Sequence, residues 1–158
     1  MPVNWKVYTF DELDVHLLYA ILALRQEVFV VEQTCWYLDA DGKDQAALHV
    51  VGTREGKVVA YTRILQKGIS YPEYASIGRV ITAPSARGQG LGRPLMQESI
   101  RILYERYGVQ PIKIGAQAHL QSFYGSLGFV GVGEIYDEDG IPHRSMLLDA
   151  PVAEEEGA

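Results

Sequence analysis

Three glycines alternate with single residues at Gly88, Gly90 and Gly92, and arginines stand on both sides, at Arg87 and Arg93. Glycine lets backbone N–H groups turn toward one point with no Cβ in the way. Pro94 follows, where a first helical turn tolerates a missing N–H. Leu95, Met96, Ile100, Leu103 and Tyr107 then recur at helical spacing. A helix start adds free N–H donors and the positive end of its dipole. Gly88, Gln89, Gly90, Leu91 and Gly92, with their two arginines, therefore read as a cradle for phosphate or pyrophosphate. The bland alternative is a glycine-rich turn with no ligand.

Two common phosphate loops do not fit. A P-loop ends in Gly-Lys-Ser/Thr, whereas Gly92 is followed by Arg93 and Pro94. A G-x-G-x-x-G loop counted from Gly88 fails at Arg93, and it tends to follow the first strand of its unit, while this loop lies past mid-chain.

The other residues with chemical potential are scattered. Tyr124 lies in Ser-Phe-Tyr-Gly-Ser-Leu-Gly-Phe. The four histidines show no ligand spacing, so no metal is expected. Cys35 is the single cysteine; it excludes an internal disulfide and suits a reducing compartment. Packing as a small apolar residue explains it better than a nucleophile.

Around these residues the spacing predicts elements. Residues 3–8 form a first strand. Thr9 and Glu12 read as a capping box, opening a helix whose face is Leu13, Leu17, Ile21, Leu24 and Val28. Cys35 to Asp44 is an acidic loop. Strands at 46–51 and 58–65 form a hairpin. Ile77 to Thr82 is a short, β-branched, buried strand closed by Pro84. The helix after the glycine loop stops at Gly108, and a short strand follows at 111–115. Gln117 to Leu127 is a helix closed by Gly128. Strands 129–136 and 142–148 flank the turn Asp137–Gly140. The order is mixed α/β with a largely antiparallel sheet. Residues 1–150 are expected to be one domain and 151–158 an acidic, frayed tail. The formal net charge is −6 with no basic run, which disfavours nucleic acid. No signal peptide or membrane-length apolar run is present, so a cytoplasmic protein is expected.

The run Arg87-Gly88-Gln89-Gly90-Leu91-Gly92 resembles the pyrophosphate loop of the GNAT acyltransferases. The element order resembles theirs across nearly the whole chain. Leu-Arg-Gln-Glu-Val-Phe-Val-Val-Glu-Gln, Ile-Gly-Arg-Val-Ile, Ala-Gln-Ala-His-Leu-Gln-Ser-Phe-Tyr and Glu-Asp-Gly-Ile-Pro-His look like the ElaA-like branch. The resemblance implies the GNAT acyl-CoA N-acyltransferase fold, a mixed sheet with a splayed central strand pair and flanking helices. It implies acetyl-CoA as co-substrate and direct transfer to an amine, either a small molecule or a peptide. By resemblance, the main chain of Val80, Ile81 and Thr82 meets the pantetheine arm, and Arg87 to Arg93 hold the pyrophosphate. Tyr124 faces the coenzyme sulfur as general acid, a role for which a phenol with pKa about 10 is suited.

Two departures stand out: Gln117 replaces the usual Asn seven residues before this tyrosine, and Leu120 the usual Ala four before it. Gln117 still offers an amide to the pantetheine. The central strand carries Arg79 and no acid, so the general base is open among Glu32, His49 and His143, with His143 carried as the site residue. Arg25 and Glu32 either shape the acceptor pocket or tie helix to loop. Glu32, Trp36, Asp39, Asp41, Asp137, Glu138, Asp139 and His143 form an acidic set that either steers a cationic acceptor or is solvated turn. A silent acyl-CoA-binding module and a transferase for a longer acyl group are the alternatives, and a homodimer is left open.

Overall fold

The computed structural model describes residues 2–152. The expected acidic tail lies, from residue 153 on, outside the described residues.

The strands are β1 (Asn4–Thr9), β2 (Leu48–Arg54), β3 (Lys57–Leu65), β4 (Ser76–Thr82), β5 (Ile112–Gln117), β6 (Val130–Glu138) and β7 (Ile141–Leu148). They form two antiparallel sheets, ordered β1-β2-β3-β4 and β5-β7-β6. The helices are α1 (Val15–Arg25), α2 (Gly92–Tyr107) and α3 (Gln121–Ser126). Two tight hairpins set the registers. Glu55 and Gly56 turn β2 into β3, and Asp139 and Gly140 turn β6 into β7, all at positive φ. Such a pair matches the twist of the strands it joins.

The sheets meet at one point. Ala75 and Ile112 form a parallel bridge, and Lys113 N–H donates to the Ala75 carbonyl at 3.0 Å. Beyond it β4 and β5 run the same way and share no further ladder, so they diverge. This is the splayed central pair.

Alternating residues on the first sheet bury themselves under different helices. Val50, Ile64 and Ile77 pack with Leu95, Met96 and Leu103 of α2. Val51, Tyr61 and Ile81 pack with Ile21 and Leu24 of α1. Ile77 and Ile81 are four residues apart and should share a face, yet they lie on opposite ones. The cause is a β-bulge: Gly78 pairs with Arg63 and Ile81 with Tyr61, so Arg79 and Val80 both oppose Thr62. Arg79 takes φ 50 to accommodate it. A bulge bends the strand and re-aims its side chains, and this one sits at the mouth of the splay.

Three expectations shift. The Glu12 carboxylate does accept from Thr9 N–H at 2.8 Å, but the box caps a 3₁₀ turn at Phe10–Glu12. The α-helix starts at Val15, capped by Asp14, whose Oδ1 accepts from Leu17 N–H at 2.7 Å. Gln117 ends β5 instead of starting a helix, because its ladder with β7 reaches that far. α1 also runs on as a π-helical turn at Gln26–Glu32, a form found often at functional sites.

Candidate active site

The divergence of β4 and β5 opens a cleft of about 470 Å³. Gly78, Arg79 and Val80 line it from β4, and Ile114 to Gln117 from β5. Leu120 and Tyr124 also line it, and the β6–β7 hairpin contributes Tyr136, Glu138 and His143. β4 is the edge of its sheet, so past Ala75 its main-chain groups toward β5 have no strand partner. Of the three residues expected to present backbone here, Val80 lines the cleft, Ile81 turns its side chain into the core beneath α1, and Thr82 ends the strand opposite Ala60.

Tyr124 is 6% exposed and lines the cleft. Phe123 and Phe129 meet its ring edge-to-face at centroid distances of 5.1 and 5.9 Å. Burial pushes its phenol up to about 12. It therefore keeps its proton at neutral pH, as a hydrogen donor must.

Gln117 pairs across β5 and β7 with His143. His143 Nδ1 lies 2.8 Å from the Ile141 carbonyl. A carbonyl only accepts, so Nδ1 donates to it and Nε2 is the nitrogen turned toward Glu138. Nε2 is 3.2 Å from Glu138 Oε2, and the ring stacks on Tyr136. A Cβ at Gly115 would lie 2.8 Å from the Tyr136 hydroxyl, so a side chain there would push that ring away from β5. The fold thus brings Val80, Gln117, Tyr124 and His143 into one cleft, from three strands and a helix.

The glycine loop lies beyond the end of β4, and none of residues 87–93 lines this cleft. Gly88 and Gly90 have φ of 78 and 72, and a Cβ on either would meet no atom within 4 Å. The backbone there is left-handed and open to an incoming group. Leu91 buries its side chain beside Val59 and Ala86, pinning the loop to β3, and Gly92 begins α2. The polar side chains all have protein partners. Arg87 pairs with Glu32 at 2.7 Å, Arg93 donates to Ser126 Oγ at 2.6 Å, and Gln89 accepts from Arg54.

Two base candidates leave the cleft. His49 is buried with both nitrogens engaged, Nδ1 2.6 Å from the Tyr61 hydroxyl and Nε2 2.9 Å from the Asp44 carbonyl. Burial lowers its pKa, with Arg25 and Arg63 adding to the effect against the Asp44 carbonyl and carboxylate. Glu32 lies on the surface with Arg87.

The acidic 35–44 loop is a wall held by buried charge. Arg25 Nε and Nη1 reach Asp39 and Asp44, both at 2.7 Å. Arg63 holds Asp41 at 2.8 Å and Asp44 at 3.0 Å, and Arg79 holds Asp39 at 2.8 Å. Burial alone would raise Asp44, but the Arg25 and Arg63 guanidiniums hold its carboxyl below the usual range. Of the two readings of Arg25, the ion pair tying helix to loop is the one found. Asp39 is buried and Asp41 is exposed but paired, so neither carboxylate is free to steer an amine. Their partners come from α1, β3 and β4, and the only trace in sequence is an arginine inside each apolar pattern. Cys35 is buried, and its Sγ donates to the Asp139 carbonyl at 3.2 Å, joining this loop to the β6–β7 turn. Lys43, Ser70 and Tyr71 also line the cleft, and no sequence signal marked them. Among the described residues no His/Cys/Asp/Glu group could hold a metal, and no helix is long and apolar enough to cross a membrane.

Residues 19–150 match the family model described as acetyltransferase (GNAT) domain. Protein ElaA of Escherichia coli is 44% identical over 149 residues, covering 93% of this chain and 97% of that protein. Its crystal structure superimposes with a TM-score of 0.87 over 94% of this chain and all of that chain. An acyl-CoA N-acyltransferase from Pseudomonas aeruginosa, 41% identical, also gives 0.87, over 93% of this chain and 99% of its own.

Proposed function

We propose that this chain, which belongs to the ElaA-like branch of the GNAT acetyltransferase family, moves the acetyl group of acetyl-CoA directly onto an amine. Acyl transfer from an acyl-CoA is the activity of its family; the acetyl donor, the acceptor and the residue roles are our reading. Residues 1–150 act as one catalytic domain in the cytoplasm, on a small molecule or peptide.

Each residue has a task set by where it stands. The free main-chain groups of β4 at Val80 to Thr82 pair with the pantetheine arm in the splay, and the Gln117 amide reaches it from β5. The amides of Arg87 to Gly92 and the start of α2 hold the pyrophosphate. Arg87 and Arg93 leave Glu32 and Ser126 to join them. Nε2 of His143 takes the proton of the arriving ammonium, and Glu138 stabilises the imidazolium. The amine lone pair attacks the thioester carbonyl, the carbon–sulfur bond breaks, Tyr124 gives its proton to the departing sulfur, and the proton shed by the new amide nitrogen restores the phenol. The burial that keeps Tyr124 protonated also leaves it in an apolar setting where a thiolate gains most from a donor.

The observation that carries this reading is a buried tyrosine lining the gap between diverging parallel strands. An amine panel tests it, with acetyl-CoA and longer acyl-CoAs as donors and free thiol as readout. Acetyl transfer to at least one amine is expected. No thiol release above hydrolysis for any donor would leave a coenzyme-binding module in its place.

A further inference from the structure

The cleft has opposite charge on its two sides. On the first-sheet side, Lys43 Nζ lies 3.0 Å from Ser70 Oγ, and both residues line the cleft. Among the described residues no carboxylate pairs with this ammonium. The two nearest in sequence are taken: Asp44 by Arg25 at 2.7 Å and Arg63 at 3.0 Å, and Asp41 by both Nη atoms of Arg63 at 2.8 Å. Arg63 also lines the cleft, is 3% exposed, and its Nε has no hydrogen-bond partner. A buried guanidinium donor left unmade is costly. On the second-sheet side stand Glu138 and Asp139, with His143.

The three arginines and three aspartates of the wall cancel. What remains in the cleft is one ammonium on one side and carboxylates on the other. An acceptor bearing only positive charge would meet Lys43 with no counter-charge. An acceptor bearing both signs satisfies both sides, since a desolvated anion needs a charged donor.

We propose that the acceptor is zwitterionic: an amine that also carries an oxyanion, either carboxylate or phosphate. Lys43 and Ser70 hold the oxyanion, and Glu138 and His143 receive the ammonium. This rests on the amine acceptor proposed above and narrows it.

The test is calorimetric titration into the protein saturated with coenzyme A. The common α-amino acids are paired with their amides, and O-phosphoethanolamine with ethanolamine. At least one anion-bearing member should bind about tenfold tighter than its neutral partner, as a charge-assisted contact provides. The pair concerned tells carboxylate from phosphate. Lys43→Gln should bring that ratio close to one, and Ser70→Ala should narrow it. The proposal is overturned if no anion-bearing member binds, if the neutral members bind as well in every pair, or if the ratio survives both substitutions. Turnover with acetyl-CoA is then read separately: zwitterion binding without acylation keeps this site and removes the proposed reaction.

Discussion

Arg87 Nη2 sits 2.7 Å from Glu32 Oε1, so an arginine of the glycine loop is already paired with the last residue of the π-helical turn. A pyrophosphate entering the loop competes with that carboxylate. Both side chains are about two-fifths exposed, and exposed pairs are worth little. Glu32→Gln should therefore tighten coenzyme A binding, by up to about fivefold at low salt, with the gain shrinking as salt rises. Weaker binding in the variant would show that Glu32 positions Arg87 for the phosphate instead of competing for it.

Gly90 carries φ 72 with open space around its missing Cβ. Gly90→Val places a β-branched side chain in a left-handed backbone, at a strain cost of about 1–2 kcal/mol or more, and in the path of the phosphate. Coenzyme affinity should drop at least about tenfold in protein that still melts cooperatively. Unchanged affinity by calorimetry would remove the loop from the binding site.

Tyr124→Phe keeps the ring and its edge-to-face contacts and removes the proton. It should retain coenzyme binding and lower kcat by roughly ten- to a thousandfold. The same substitution has a stability signature. Burial raises the folded-state phenol from 10.0 to about 12, so its contribution is present below pH 10 and is lost as pH rises toward 12. Between those values, chemical denaturation should show wild type losing more stability than Tyr124→Phe. Wild-type kcat in the variant would exclude the acid role.

Asp39 is 5% exposed and accepts from both Arg25 and Arg79. Asp39→Asn leaves two guanidiniums short of a counter-charge, a lesion of about 3 kcal/mol for a buried pair. It should act on the melting temperature, with no change in the salt slope of kcat/KM. A changed slope with unchanged stability would restore steering by this loop. Asp44 supplies the pH counterpart. Its folded-state pKa is depressed, so its contribution is full above the ordinary carboxylate range near 3.8 and disappears as pH falls below it. Asp44→Asn should flatten the acid side of the stability profile.

Local chemistry was legible in the sequence. Glycine spacing, Pro94 and the helical repeat behind it marked a left-handed loop and the start of α2, because positive φ and helix starts depend on adjacent residues. Turn pairs such as Glu55-Gly56 placed the hairpins, and the order of periods told the fold class. The tertiary structure alone decided what depends on residues far apart in the chain. The bulge at Arg79 and Val80 is a relation between two strands, and no period within one strand reports it. The same holds for charge. Asp39 and Asp41 look like solvated loop acids until Arg25, Arg63 and Arg79 converge on them from three elements. His49 and His143 each interrupt an apolar strand and are equivalent on paper. Pairing of β2 with β3 closes one between Tyr61 and a carbonyl, while pairing of β7 between β5 and β6 leaves the other lining the cleft.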